Sequence, residues 1–396
     1  MKLKQRYTKS FTKKEYDENK KVIIYGAGNY GELAWGGLKE IGIEPYAFMD
    51  MNHSGEIFHD LQVISPGQID IYKDDIILIA SLNYFGEIIS FLNENNVSSF
   101  YDIEELIKIC PIECLNEYAL DEKNNIQKYS NVINSYKKDG LIIGHVEIVV
   151  TEKCTLRCKD CANLMQYYTK PEDIDIDDII FSFDHFLTLI DTLVELRILG
   201  GEPFIVKNID KLINYYANND KIKRITIYTN STIVPSENII NALKNNKVSV
   251  HMSDYGKVSK NIIDLEEIFR HESITFYIHK YYEWNDLGDC SKRKYTYEQL
   301  CKFFSECNMA KCYTFYRGKL FLCPRSAHGE RLGYFKNNIS EYMDFSMEIS
   351  NIEMEREKIK RLLKNVKSLT ACNYCNGSNL RSKKIESARQ LNKNDL

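Results

Sequence analysis

Thr151-Glu152-Lys153-Cys154-Thr155-Leu156-Arg157-Cys158-Lys159-Asp160-Cys161 is the stretch on which the reading of this chain turns. It follows the apolar run His145 to Val150, which predicts a β-strand. The spacing C-x3-C-x2-C gathers three thiols in one short loop. Thiolate is the soft ligand of iron–sulfur clusters, so Cys154, Cys158 and Cys161 can hold three corners of a four-iron, four-sulfur cluster. The fourth iron then lacks a protein ligand, and an open iron is a place for a small molecule to bind and react. Zinc also takes thiolates, but a structural zinc site wants four closed ligands, and the fourth would have to be recruited from afar.

Working outward, Leu193 to Leu199 is a second apolar run, ending in Gly200-Gly201-Glu202-Pro203. Arg224 to Tyr228 ends in Thr229-Asn230-Ser231-Thr232, and Val248 to Met252 ends in Ser253-Asp254-Tyr255-Gly256. Ile274 to His279 supplies another strand. Amphipathic stretches at 174–190, 206–217, 236–245 and 258–269 alternate with these runs. Alternating strands and helices predict parallel β/α architecture, whose sites gather at the C-terminal strand ends, where all four polar motifs fall.

In this order the motifs resemble those of the radical S-adenosylmethionine (SAM) enzymes, over residues 141–300. The resemblance implies a partial (β/α)6 barrel in which a [4Fe-4S] cluster on Cys154, Cys158 and Cys161 chelates the amino and carboxyl groups of SAM. It also implies that the Gly200, Gly201, Glu202, Pro203 loop meets the SAM ammonium. Thr229, Asn230 and Ser253 would meet its ribose and carboxylate. A low-potential electron donor such as flavodoxin or ferredoxin is the implied partner. The sequence departs from the family at Asp160, where many members carry an aromatic residue near the adenine, although Tyr167 and Tyr168 follow closely.

The N-terminal third reads as a doubly wound, Rossmann-like domain over residues 21–103, behind a polar arm, 1–20. Lys21 to Tyr25 enters Gly26-Ala27-Gly28-Asn29-Tyr30-Gly31, with a helical pattern from Glu32 to Ile41 behind it. Strand, G-x-G-x-x-G and helix together are the context in which bare glycine backbone holds a phosphate. Pro45 to Met49 ends in Asp50, placed to bond a ribose hydroxyl. Strands at Asp75 to Ala80 and Val97 to Tyr101, with a helix at 84–94, complete the sheet. The region resembles nucleotide-binding-like domains attached to sugar-handling enzymes, which either hold a nucleotide or nucleotide-sugar or serve as scaffold. A helical connector follows at 104–140, where Cys110 and Cys114 read as small buried hydrophobes.

Beyond residue 300 come Cys301, Cys307, Cys312, Cys323, Cys372 and Cys375. The segment from Cys312 to Cys323 predicts a β-hairpin with an Arg317-Gly318 turn. If Tyr316 pairs with Lys319, Cys312 lies opposite Cys323. With Cys372-Asn373-Tyr374-Cys375 these make a four-thiol set. The 301–396 segment resembles the twitch domain, the shortened relative of the SPASM extension, which implies an auxiliary [4Fe-4S] cluster. Cys307 fits that family's distance to the glycine better than Cys312, whereas the hairpin register favours Cys312. Zinc suits four closed thiolates equally well. Arg325 and His328, just beyond Cys323, either recognise substrate or support the cluster.

The net charge of −4 over 396 residues, without a basic run interleaved with aromatics, argues against nucleic acid. No apolar core near the N-terminus marks a signal peptide and no run reaches the length of a membrane span. Twelve cysteines then suggest reduced, metal-binding thiols in the cytoplasm. The chemistry expected from the resemblance is reductive SAM cleavage and hydrogen abstraction, most directly to oxidise or epimerise a carbohydrate or nucleotide-linked sugar. Cys290 and Cys301 are candidate hydrogen donors. Modification of a ribosomally made peptide, or a non-catalytic iron–sulfur or zinc scaffold, are the alternative readings.

Overall fold

The computed structural model describes residues 9–137, 140–379 and 381–391, without the side chains of Cys114 and Lys137. The expected burial of Cys114, the first eight residues of the arm and the last five of the chain lie outside the described residues; Cys110 is buried. The chain folds as two compact units, Met1–Gly144 and His145–Leu396.

In the first unit the strands are β1 (Lys9–Ser10), β2 (Val22–Tyr25), β3 (Ala47–Met49), β4 (Ile57–Phe58), β5 (Leu61–Ile64), β6 (Ile76–Ile79) and β7 (Ser99–Asp102). Their order is β1-β7-β6-β2-β3-β5-β4, parallel except for the β4–β5 pair. The chain leaves β2 towards β3 and returns on its other side at β6, which is the reversal of a doubly wound sheet. Every residue of β2 and β6 is buried, as strands covered on both faces require. Helices Asn29–Glu40 and Phe85–Glu94 fall where the patterns place them. Glu104–Ile109, Glu117–Asn124 and Ile126–Lys137 make the connector helical.

The second unit contains β8 (Ile142–Thr151), β9 (Thr192–Gly200), β10 (Ile222–Thr229), β11 (Val248–Asp254), β12 (Phe276–Lys280), β13 (Glu283–Asn285), β14 (Thr314–Tyr316), β15 (Lys319–Phe321), β16 (Tyr342–Asp344) and β17 (Lys384–Glu386). One sheet runs β12-β11-β10-β9-β8-β14-β15-β16. It is parallel from β12 through β14, so the partial barrel has six parallel strands, the sixth supplied by the C-terminal hairpin docked on β8. The 301–396 segment thus extends the core sheet. Side chains alternate across these strands. Leu196, Ile198, Ile225 and Ile227 are fully buried apolar residues, while their neighbours Glu195, Arg197, Arg224 and Thr226 share one polar cluster. The hairpin has the expected register, Tyr316↔Lys319, and its turn residues Arg317 and Gly318 both have positive φ, the type I′ geometry that matches strand twist. Among the described residues no helix is long and apolar enough to cross a membrane.

Candidate active site

Each core strand ends where its polar motif begins, so four loops meet at one edge of the sheet. Two glycines allow the closest approach. A Cβ on Gly200 would lie 2.4 Å from the Thr151 carbonyl oxygen. One on Gly201 would lie 1.8 Å from that of Lys153 and 2.9 Å from the Cys154 nitrogen. Their absence lets Gly201 N donate to Thr151 O at 2.8 Å and Glu202 N to Lys153 O at 2.9 Å. The Gly-Gly-Glu-Pro loop is thereby bonded edge to edge with the loop that carries Cys154.

Glu202 is wholly buried and ties this loop to the next strand. It accepts from Thr229 Oγ1 at 2.9 Å, Asn230 N at 2.8 Å and Phe204 N at 3.1 Å. Burial pushes its carboxyl up to about 7, against the pull of those three donors. Asn230 donates through Nδ2 to Thr155 Oγ1 at 3.0 Å and to Cys154 Sγ at 3.5 Å. Ser259 Oγ, bonded to the carbonyls of Asn230 and Ser253 at 2.9 Å each, pins the ends of β10 and β11 together. Ser253 is buried at the end of β11.

Burial pushes the thiols of Cys154 and Cys158 up to about 12 and raises that of Cys161. Uncomplexed, all three are neutral thiols at pH 7, and their ionisation requires a cation. Donors already face the sulfurs: Leu156 N at 3.4 Å from Cys154, and Gln390 Nε2 at 3.2 Å from Cys158. One buried and two half-buried thiols, with N–H donors at two of the sulfurs, fit thiolate ligands of a cluster. Asp160 is half-buried. Tyr168 hydrogen-bonds His328 Nδ1 at 2.8 Å, and Tyr167 packs edge-on to Tyr334 at 5.9 Å, so both are engaged with the segment after Cys323.

The structure places the two candidates for the fourth thiol of the second set, Cys307 and Cys312, differently. One apolar cavity is lined by Cys307, Cys323, Cys372 and Cys375, with Phe303, Phe304, Leu369 and Ala371 around them, and Cys312 is not part of its wall. The ladder of β14 and β15 stops at Thr314↔Phe321. Beyond it Lys311 adopts φ 73°, bonds Leu322 O at 3.1 Å, and closes turns that carry Cys307 towards Cys323. Cys312 instead stands with His145 and Glu147, ligand atoms within 4.8 Å of one another. Arg197, 3.7 Å from Glu147, already supplies a cation there. Cys290 is buried and receives Arg325 Nη2 at 3.6 Å, while Cys301 lies on the Tyr297–Ser305 helix and does not line the cavity. Arg325 is itself buried, with Nη2 also on the carbonyls of Gly288 at 3.1 Å and Tyr374 at 3.2 Å.

Glu152, one residue past β8, was not singled out from sequence. It is buried and accepts from Tyr316 Oη, from Arg317 and Arg331 at 3.1 Å each, and from Glu172 N at 2.9 Å. Burial opposes the charge, but these donors outweigh it and hold the carboxyl below its ordinary range. The ion pairs fasten the root of the cysteine loop to the hairpin.

In the first unit, Gly26 and Gly31 are required by packing: a Cβ would lie 2.3 Å from Ala80 O and 2.2 Å from Gly26 O, respectively. Gly28 faces open space. Asp50 bonds within its own surroundings, accepting from Ala27 N at 3.1 Å and Asn52 N at 2.8 Å.

Residues 148–253 match the radical SAM superfamily. This segment is a radical SAM domain. Such a domain implies a [4Fe-4S] cluster and SAM, and it contains all three loop cysteines. Residues 18–101 match the family described as C2185-like, N-terminal. The GTP 3′,8-cyclase of Clostridium botulinum (strain Hall / ATCC 3502 / NCTC 13319 / Type A) is 33% identical over 108 residues, 27% of this chain and 33% of the relative. That of Stenotrophomonas maltophilia (strain R551-3) is 29% identical over 92 residues, 23% and 28% of the two proteins. The chain thus spans about a third of the length of these curated relatives. Among solved structures, native anSMEcpe with bound AdoMet aligns at TM-score 0.39 and 14% identity, over 56% of this chain and 82% of that one. Streptococcus suis SuiB bound to precursor peptide SuiA aligns at TM-score 0.29 and 19% identity, over 55% and 47%.

Proposed function

We propose that this protein is a radical SAM enzyme that oxidises or epimerises a carbohydrate or nucleotide-linked sugar. The observation that carries the radical SAM part is the edge-to-edge bonding of the Gly200-Gly201-Glu202 loop to the cysteine loop, with donors facing the sulfurs. Cys154, Cys158 and Cys161 hold the first cluster, and Cys307, Cys323, Cys372 and Cys375 hold a second. The cluster and SAM, when bound, supply the 5′-deoxyadenosyl radical that takes a hydrogen atom from an unactivated C–H bond.

The protein's own residues do the positioning. Gly200 and Gly201 leave backbone bare at the cysteine loop, where the SAM ammonium is met. Glu202 fixes Thr229 and Asn230, so the ends of β9 and β10 move as one body. Ser259 does the same for Ser253, and together these bonds hold the ribose and carboxylate contacts. The second cysteine set supplies an electron acceptor for oxidation, and Cys290, buried beside Arg325, and Cys301 are the two candidate hydrogen donors. The sugar reading rests on the first unit, whose strand–glycine–helix turn leaves open space at Gly28. A low-potential flavodoxin or ferredoxin completes the system.

Anaerobically reconstituted protein, given SAM, a strong reductant and a panel of nucleotide-sugars, is expected to form 5′-deoxyadenosine, fastest with its true substrate. No 5′-deoxyadenosine under any condition would overturn the enzymatic reading. 5′-Deoxyadenosine without any change in any sugar would overturn the substrate class alone.

A further inference from the structure

The cysteine loop is crossed by a strap from the far end of the sequence. β17 (Lys384–Glu386) pairs with β13, where Trp284 faces Ile385. The strap then runs antiparallel to the loop: Lys159 N donates to Arg389 O and Leu391 N to Arg157 O, both at 2.8 Å. Gln390 lies between these bonds, and every part of its carboxamide has a partner. Its Oε1 accepts from Arg157 N at 2.8 Å. One Nε2 hydrogen reaches Ala388 O at 2.6 Å, and Nε2 lies 3.2 Å from Cys158 Sγ. A backbone N–H only donates and a backbone carbonyl only accepts, so the amide has one orientation. Reversing it would set its oxygen against the Ala388 carbonyl and its NH2 against the Arg157 N–H. The second Nε2 hydrogen is therefore aimed at the Cys158 sulfur.

We propose that Gln390 is a positioning residue that raises the reduction potential of the cluster held by Cys154, Cys158 and Cys161, by donating a hydrogen bond to Cys158. This rests on the function proposed above. Reduction adds one electron, and hence one negative charge, to the cluster. A donor at a ligand sulfur favours the more negative state, and removing it makes that state harder to reach. Gln390 thereby brings the cluster within range of a protein electron donor.

The experiment uses the full-length protein with its clusters assembled, as wild type and as Gln390→Met, which keeps the length of the side chain and removes its N–H groups. An EPR-monitored titration is expected to place the first cluster of the variant at a more negative potential. A flavodoxin-type donor should reduce a smaller fraction of it, while a strong chemical reductant still reduces it fully. To separate donation from strap attachment, protein labelled with 15N at glutamine side-chain amides is examined by pulsed EPR. A 15N coupling to the reduced first cluster is expected in wild type and lost in Gln390→Met. An unshifted potential, or no such coupling in wild type, overturns the proposal. Absence of any cluster on the three loop cysteines, seen beforehand by iron analysis of a protein lacking the second cysteine set, would instead remove the underlying function and this inference with it.

Discussion

Gly201 and Lys153 meet through backbone alone: any side chain on the glycine would begin 1.8 Å from the lysine carbonyl oxygen. The contact joins the ends of the first two core strands, and the neighbouring thiol belongs to Cys154. Gly201→Ala must push the loops apart, and forcing extra volume into a tight site destabilises by about 1–3 kcal/mol. The variant is expected to unfold at lower denaturant concentration. Its assembled cluster should show a weakened SAM-induced change in EPR signal.

Glu202 should leave a mark on the pH dependence of stability. Its folded pKa of about 7 lies above the ordinary carboxylate value, so between the two the folded state binds more protons than the unfolded. The contribution is therefore fully present below about pH 4 and is lost as pH rises to about 7. Denaturation of the cluster-free protein from pH 5 to pH 8 should show stability falling and then levelling. Glu202→Gln should abolish that fall while destabilising by about 1–3 kcal/mol, because an amide nitrogen would meet one of three donors.

Cys307 and Cys312 make opposite predictions. With Cys307 in the wall of the cysteine-lined cavity, Cys307→Ser is expected to lower iron from about eight to about four per protein molecule after reconstitution, with sulfide following. Cys312→Ser should retain both clusters. The reverse result would restore the hairpin register as the guide to the ligands.

The Glu152 ion-pair cluster is structural. Glu152 is buried but Arg317 and Arg331 are more than a third exposed, so water screens the charges left behind and removing the carboxylate costs about 1–3 kcal/mol. Glu152→Gln is expected to destabilise on that scale in denaturant titrations. Arg331→Lys should be milder, because Arg317 remains on the same carboxylate.

Much of this was legible in the sequence because it is local. β-Rich runs ending in glycine or polar motifs became strands ending at those residues, and Tyr316 pairs with Lys319 as expected. The expectation that Cys312 lies opposite Cys323 came from continuing a regular ladder past Thr314, where the pairing ends. A positive φ at Lys311 breaks it, and lysine gives no sign of a conformation usually left to glycine or asparagine. Asp50, expected from its distance to the glycines to meet a ribose, also accepts from Ala27 N, a bond that spacing cannot reveal. Glu152 and Gln390 were missed for another reason. Their partners are distant in sequence, and a single polar residue carries no periodic signal of where it will dock.

That distance has a consequence for biogenesis. The Arg157–Gln390 bond spans 233 positions, so the loop that carries the first three cysteines leaves the ribosome long before the strap that crosses it. At about 5–20 residues per second the interval is on the order of ten seconds or more. During that time Cys158 lacks the hydrogen bond from Gln390, so the cover of the loop is among the last long-range contacts the growing chain can form.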